Sequence, residues 1–145
     1  MKSKSEEMHE VYQGVRTLIT HPGTWTQGAE ARDDTGQECN PCSDEAVAYC
    51  LAGAVRHVID PFFNYEIELQ RLVIRKIAKM ILDEDHPIFD KHGMRMPGDY
   101  YYFSEDDAII DIHEEIADPF DVVACFNDDN SQDNVLRVLD VLMSE

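Results

Sequence analysis

Basic residues are scarce in this chain. Twelve Lys and Arg stand against thirty Asp and Glu among 145 residues, a formal charge of −18. Such a surface repels nucleic acid and anionic membranes, so direct binding to either is not expected. Long apolar runs are also missing. No stretch approaches the roughly 18 apolar residues that a membrane span needs. The opening MKSKSEEMHEVY contains no apolar segment of the secretory kind, which leads to the expectation of a cytoplasmic protein. Its four cysteines are then expected as reduced thiols. Known catalytic signatures are absent as well. There is no Walker loop, dinucleotide glycine motif, G-x-S-x-G or H-E-x-x-H. No nucleophile–base pair can be assigned, and no cofactor is expected.

What is present is enough for a core. The apolar fraction is 43%, far from a disordered composition. A chain of this length buries roughly 68–70% of its unfolded surface. One globular domain over residues 1–145 is expected, with the polar residues 1–6 frayed. The charge is uneven. Residues 81–145 carry 18 acidic and three basic residues, a net of −15, and residues 1–80 only −3.

Periodicity predicts a mainly α fold, a bundle of about five or six helices around a buried central one. Met8, Val11, Tyr12, Val15, Leu18 and Ile19 form one helical stripe, stopped at His21-Pro22. Residues 24–42 lack that period. Thr24-Trp25-Thr26 favours extended structure and Asp33-Asp34-Thr35-Gly36 a turn, so a small β-hairpin or ordered loop fits there. Ser43, followed by Asp44 and Glu45, reads as the cap of a helix running to about His57. That helix is apolar on almost every side, which predicts the central position. A long helix from Phe62 to about Leu82, with Pro61 at its first position, carries Arg71, Arg75, Lys76 and Lys79. Residues 86–103 read as an irregular loop. Ser104 reads as the cap of an acidic-start helix through Ile116. A short helix follows over 120–126, and Ser131 caps a last one bearing Val135, Val138, Leu139 and Leu142.

Four spaced motifs occur in order: Trp25-x-Gln27-Gly28-Ala29, Ala31-Arg32-Asp33-x-x-Gly36, Cys50-x-x-Gly53-Ala54 and Phe126-Asn127-Asp128. Together they resemble a family of small bacterial and phage proteins known as domain of unknown function 6197, over roughly residues 8–143. The resemblance implies a bacterial or phage-infected cell as the setting and implies no activity. Cys39 and Cys42 depart from the family's pattern, and the acidic stretch 104–118 is stronger than it implies.

Several constellations could carry chemistry. Cys39-x-x-Cys42 with Cys50 offers three zinc-type ligands, but a structural zinc site takes four and no second pair exists. Two loop thiols and one buried thiol fit better. Asp83, Asp85, His86, Asp90 and His92 form one oxygen-rich set. Asp111, His113, Glu114, Glu115 and Asp118 form another. On a helix Asp111 would face Glu114 or Glu115, at a cost of a few tenths of a kcal/mol, so a solvated acidic face suffices. Asp128-Asp129-Asn130 resembles a calcium loop only faintly, lacking its sixth-position Gly and twelfth-position Glu. Arg32 is expected to pair with an acid near Asp128, tying segment 24–42 to the C-terminal junction. The rival arrangement makes Trp25, Arg32 and Asn127, with Asp33 and Asp128 beside them, line a ligand pocket.

Two functions follow. The first is a non-enzymatic interaction protein. Its acidic face of Asp106, Asp107, Asp111, Glu114, Glu115 and Asp118 would dock on a basic host protein, acting as a nucleic-acid mimic of the phage-inhibitor kind. The second is a metal-dependent enzyme that uses the Asp/Glu/His sets. Oligomeric state is not legible in the sequence.

Overall fold

Ser3 opens the first helix in this computed structural model, which describes residues 2–59, 66–83, 100–104, 106 and 108–145. The Ser3 hydroxyl accepts from the Glu6 amide, and α1 runs Lys4–Ile19. The helix thus starts inside the segment expected to fray. Its buried stripe is Val11, Tyr12, Val15 and Ile19, the spacing the sequence carries. The Gln132 carboxamide donates to the carbonyls of Ile19 and His21, both at 2.8 Å, so the end of α1 is satisfied by a side chain 111 or more residues away.

The largest departure from the sequence reading lies at residues 43–50. They are not helical. Ala48–Tyr49 form strand β2, antiparallel to β1, Ala31–Arg32. Tyr49 also bridges Trp25 in parallel, through Thr26 N to Tyr49 O (3.0 Å) and Tyr49 N to Thr24 O (2.9 Å). The Val47 amide donates to the Arg32 carbonyl. Long-range pairing thus overrides the helical pattern, and Ser43 closes only a local turn through Glu45 N. The expected hairpin turn at Asp33–Gly36 is present. Arg32 bridges Glu38, and Asp33 and Gln37 bond across the turn. Gly36 sits at φ +85°, where a side chain would be strained.

The central helix α2 is therefore shorter, Leu51–Val58. Cys50 caps it, its sulfur accepting from the Gly53 amide at 3.3 Å. Leu51 through Val55 are all buried, and α2 packs against α1, α3 (Glu66–Ile81), β2 and α4 (Pro119–Asp129). It is the buried axis that its composition predicts. Val73, Ile74, Ile77, Ala78, Met80 and Ile81 bury one side of α3. The expected start of that helix at Pro61–Phe62 lies outside the described residues.

Segment 101–116 corrects a second expectation. In place of a helix from Ser104, Tyr101–Phe103 (β3) and Ile109–Asp111 (β4) pair as an antiparallel hairpin in the register Tyr101↔Asp111, Tyr102↔Ile110, Phe103↔Ile109. Ile110 then bridges Ile116 after a second turn. Contiguous isoleucines and tyrosines have strong strand preference; of the acids that suggested a capped helix start, Asp106 lies in a turn, and Glu105 and Asp107 lie outside the described residues. Ser104 still acts locally, its hydroxyl accepting from Ala108 N. Asp118 caps α4 through the Phe120 amide with Pro119 at the first position. Ser131 caps α5, Gln132–Ser144, through the Asn134 amide.

Among the described residues the fold has five helices and two small two-stranded antiparallel sheets, a mainly α architecture. Buried side chains of α1, α2, α3, β4, α4 and α5 join in one core cluster. Arg16 adds a two-pronged contact to Asp140 between α1 and α5. It is exposed enough to contribute at most about 1 kcal/mol.

Gly53 shows how tightly the small sheet and the axis meet. A Cβ at this position would lie 1.8 Å from the Glu30 carbonyl oxygen and 2.7 Å from its carbon. Both are backbone atoms held by the Cys50 amide at 3.1 Å, so neither can yield cheaply. Gly53→Ala is expected to lower unfolding free energy by about 3 kcal/mol, although Ala is the better helix former. Urea denaturation measures it, and an unchanged midpoint would refute the close approach.

Candidate functional site

Three of the four sequence motifs meet at one side chain. Asn127, in α4, is fully buried. Its Oδ1 accepts from Trp25 Nε1 at 2.8 Å and from the Leu51 amide at 3.0 Å. Its Nδ2 donates to the Thr26 carbonyl at 3.0 Å and lies 3.4 Å from Asp128 Oδ1. One carboxamide thus joins the 24–28 loop, the first residue of α2, and α4. The donor and acceptor groups of the amide are all engaged.

Gln27 closes the same junction. Its Nε2 is within 2.8–3.1 Å of the carbonyls of Asn127, Asp128 and Asn130, which are orphaned acceptors at the end of α4. Gly28, at φ +79°, turns its amide onto Asp128 Oδ1 at 2.9 Å. Asn130, which caps α4, donates to the Phe126 carbonyl. Phe126 is a fully buried anchor.

Arg32 is placed differently from the expectation. It does not pair with Asp128. Its Nε donates to Thr26 Oγ1 (2.9 Å), one terminal nitrogen to Gly36 O (3.1 Å) and the other to Gln27 O (3.0 Å). The guanidinium fork therefore gathers three points of its own loop, and neutral oxygens satisfy it. Asp33 organises the turn, its Oδ1 accepting from Thr35 N, Thr35 Oγ1 and Gln37 N. The Thr35 hydroxyl bond leads in holding its carboxyl below the usual range. Trp25, Arg32, Asp33, Asn127 and Asp128 do lie in one connected network. The tie between loop and helix, assigned from the sequence to Arg32, is made by Trp25, Gln27 and Gly28.

The cysteines are not arranged as a metal centre. None is disulfide bonded. Cys50 is buried as the cap of α2, and burial pushes its thiol up to about 11. The Cys42 thiol donates to the Arg56 carbonyl at 3.3 Å. His57 Nδ1 lies 2.8 Å from the Pro41 carbonyl. Among the described residues no three His, Cys, Asp or Glu side chains form a metal-ligand group. Of the first oxygen-rich set, only Asp83 lies within the described residues.

The acidic segment is the other candidate. Asp107 lies outside the described residues. Asp111 is half-buried and its Oδ1 accepts from the amides of His113 and Glu115, at 2.8 and 3.1 Å, so it builds the second turn. Glu114 sits in that turn at φ +63°, a left-handed conformation that side chains rarely adopt. Asp118 caps α4. Asp106, Glu114 and Glu115 remain as exposed carboxylates directed at no described partner by hydrogen bond or ion pair. The helical faces expected for Asp111, Glu114 and Asp118 do not exist, because a hairpin and a turn replace the helix.

The hairpin also exposes apolar surface that the helical reading hid. In the observed register Tyr102 stands opposite Ile110, and Ile110 opposite Ile116. Opposed residues of an antiparallel pair share a face. Tyr102 is 51% exposed, Ile112 59% and Ile116 82%. The sequence signal was available in the alternation Ile110, Ile112, which lies within the segment expected to be a helix from Ser104.

The whole chain can now be compared with known proteins. A family model described as a family of unknown function, DUF6197, matches residues 3–144. The chain belongs to this family. No curated protein and no solved structure matches it. The match spans all four motifs named from the sequence. Gly28, Gly36 and Gly53 serve left-handed turns and a close backbone approach, Cys50 caps the axis, and Trp25 and Asn127 bond each other.

Two outcomes follow from the junction. Asn127→Ala leaves the Leu51 amide and the Trp25 ring N–H without acceptors, and is expected to cost about 3 kcal/mol in urea unfolding. The protein has a single Trp, so the same variant should shift its fluorescence to longer wavelength in native buffer. Arg32→Ala, whose partners are nearer solvent, should cost about 1 kcal/mol; an equal or larger loss would reverse this ranking. The raised Cys50 pKa gives a pH dependence. A thiol whose folded value lies above its ordinary 9.0 contributes stability below pH 9 that is lost as pH rises toward 11. Cys50→Ala should flatten the alkaline decline in urea midpoint, and an unchanged profile would rule out this origin.

Proposed function

We propose that this protein is a non-enzymatic interaction module that docks a basic protein surface through the hairpin segment 101–116. The observation that carries the reading is the cross-strand row Tyr102–Ile110–Ile116, with Ile112 beside it, flanked by exposed Asp106, Glu114 and Glu115. Solubility alone accounts for surface carboxylates, and a scattered exposed apolar residue needs no explanation. An ordered row of large apolar side chains inside an acidic rim fits an interface better. Desolvated apolar anchors supply affinity there, and rim charge supplies partner choice and association rate.

The form of the acidic surface matters for the kind of partner. Carboxylates repeating along a helix could follow the spacing of phosphates. Here Asp111 and Asp118 serve a turn and a cap, and the exposed acids sit around a hairpin. The reading supported is therefore docking on a basic protein by apolar anchors with acidic flanks, in preference to imitation of a nucleic-acid backbone. A cytoplasmic setting in a bacterial or phage-infected cell belongs to the same proposal; among the described residues no helix is long and apolar enough to cross a membrane. The metal-dependent enzyme draws no support from the described side chains, because none of them gather as a ligand set.

Affinity capture from a bacterial lysate at low ionic strength, repeated with Ile116→Asp and with Glu114→Gln/Glu115→Gln, tests the reading. A basic partner should be recovered by the parent chain and lost with Ile116→Asp. The double Gln variant should bind it with an association rate at least about threefold lower and a weaker salt dependence. Recovery of no basic protein, or of one that ignores Ile116→Asp, would reject the proposal. A rise in melting temperature with Mg²⁺, Mn²⁺ or Zn²⁺ would move the assignment to the metal-dependent alternative.

A further inference from the structure

Away from the hairpin, α1, α3 and α5 enclose a groove of about 540 Å³, within the range of small-ligand sites. Its apolar wall is made by Met8, Leu72 and Leu142, and its basic wall by Lys4, Arg75, Lys76 and Lys79. Four of the chain's twelve basic residues therefore line one concavity of a protein with net charge −18. Three of them occupy α3, where Arg75 and Lys79 stand one turn apart, as do Leu72 and Lys76. Lys4 is paired to Glu7 at 3.4 Å, and Glu145 also lines the groove, so the excess of positive charge is modest. A singly charged head suits it.

A second observation points to a ligand. Tyr12 lines the groove and is only 4% exposed, yet its hydroxyl has no hydrogen-bond partner among the described residues. A buried hydroxyl without a partner is destabilising, and native proteins rarely keep one without a reason. Burial, with Glu145 adding to it, pushes the phenol up to about 12. It therefore stays protonated at neutral pH and can donate.

We propose that this groove binds a small carboxylate amphiphile of the fatty-acid kind. The carboxylate lies against Lys76, and the chain lies along Met8, Leu72 and Leu142. The groove is independent of the hairpin, so the two proposals stand or fall separately.

Isothermal titration of the full chain with decanoate, below its micelle concentration and at low salt, tests this. Saturable one-to-one binding is expected. It should weaken at least tenfold in Lys76→Glu, at least tenfold when decanol replaces decanoate, and severalfold in Tyr12→Phe. Lys76 and Leu72 are both exposed, so Lys76→Glu and Leu72→Asp should keep the parent circular dichroism and melting curve. Leu72→Asp should weaken binding independently of the charge wall. Absence of saturable binding would overturn the proposal. So would binding that neither variant alters, or equal binding of decyltrimethylammonium. Concentration-dependent dimerisation lost in Lys76→Glu, without decanoate binding, would assign the groove to a second copy and also overturn it.

Discussion

The carboxamide of Asn127 is the contact on which the rest of this structure depends. Three groups from two separate segments need a polar partner at one buried point: the Trp25 indole, the Thr26 carbonyl and the first amide of the central helix. A side chain that accepts twice and donates twice meets all three. An Asp would lack the donor, and a Leu of similar size would leave two N–H groups and a carbonyl unpaired. In a low-dielectric interior each unpaired group costs more than a made bond returns. The loop, the axis and α4 therefore assemble together or not at all at this point.

Around that contact the small residues have geometric tasks. Gly53 lets the Glu30 carbonyl rest on α2, and the Cys50 amide holds that carbonyl in place. Gly28 turns the chain so that its own amide meets Asp128. Arg32 then gathers Thr26, Gln27 and Gly36 and stiffens the loop that presents Trp25 and Gln27. Few donors or acceptors are left over to hold a ligand, which is why the motif cluster reads as the lock of the fold. The surfaces we propose for recognition lie elsewhere, on the acidic hairpin and in the groove along α3. Opposite charges on separate faces also explain how a strongly acidic chain can carry a concave cationic groove. The local field is set by the nearest side chains within about a Debye length, ~8–10 Å, and not by the total.

Much of the fold was legible in the sequence where the stripe was long or the cap explicit. α1, α3, α4 and α5 appear with their buried residues or caps nearly as the pattern indicates, and α2 is central as its all-round apolarity demands. The candidate site was legible only in part. Trp25, Arg32, Asn127 and Asp128 do share one network, but the residue that ties it was misassigned, because Arg32 offers the stronger charge while geometry favours an uncharged carboxamide. Gln27, which caps α4, carried no signal beyond its place in a motif. At 43–50 and 104–116 the pattern was ambiguous. Short apolar runs fit a helix or a strand equally well, and a serine before acids fits a cap or a turn.

The sequence by itself determined the things that depend on composition and near neighbours. These are the charge and its asymmetry, the apolar stripes, the helix cap at Ser131, and the turn at Asp33–Gly36. Hydrophobic periodicity and side-chain-to-backbone bonds act within a few residues, so a linear reading captures them. Only the tertiary structure decided that Ala48–Tyr49 is a strand, that Ile110 bridges Ile116, and that a buried tyrosine lines one groove with four basic residues. Each of these is fixed by a partner met after the chain has folded back on itself. The energy of that meeting exceeds the local preference of either segment alone.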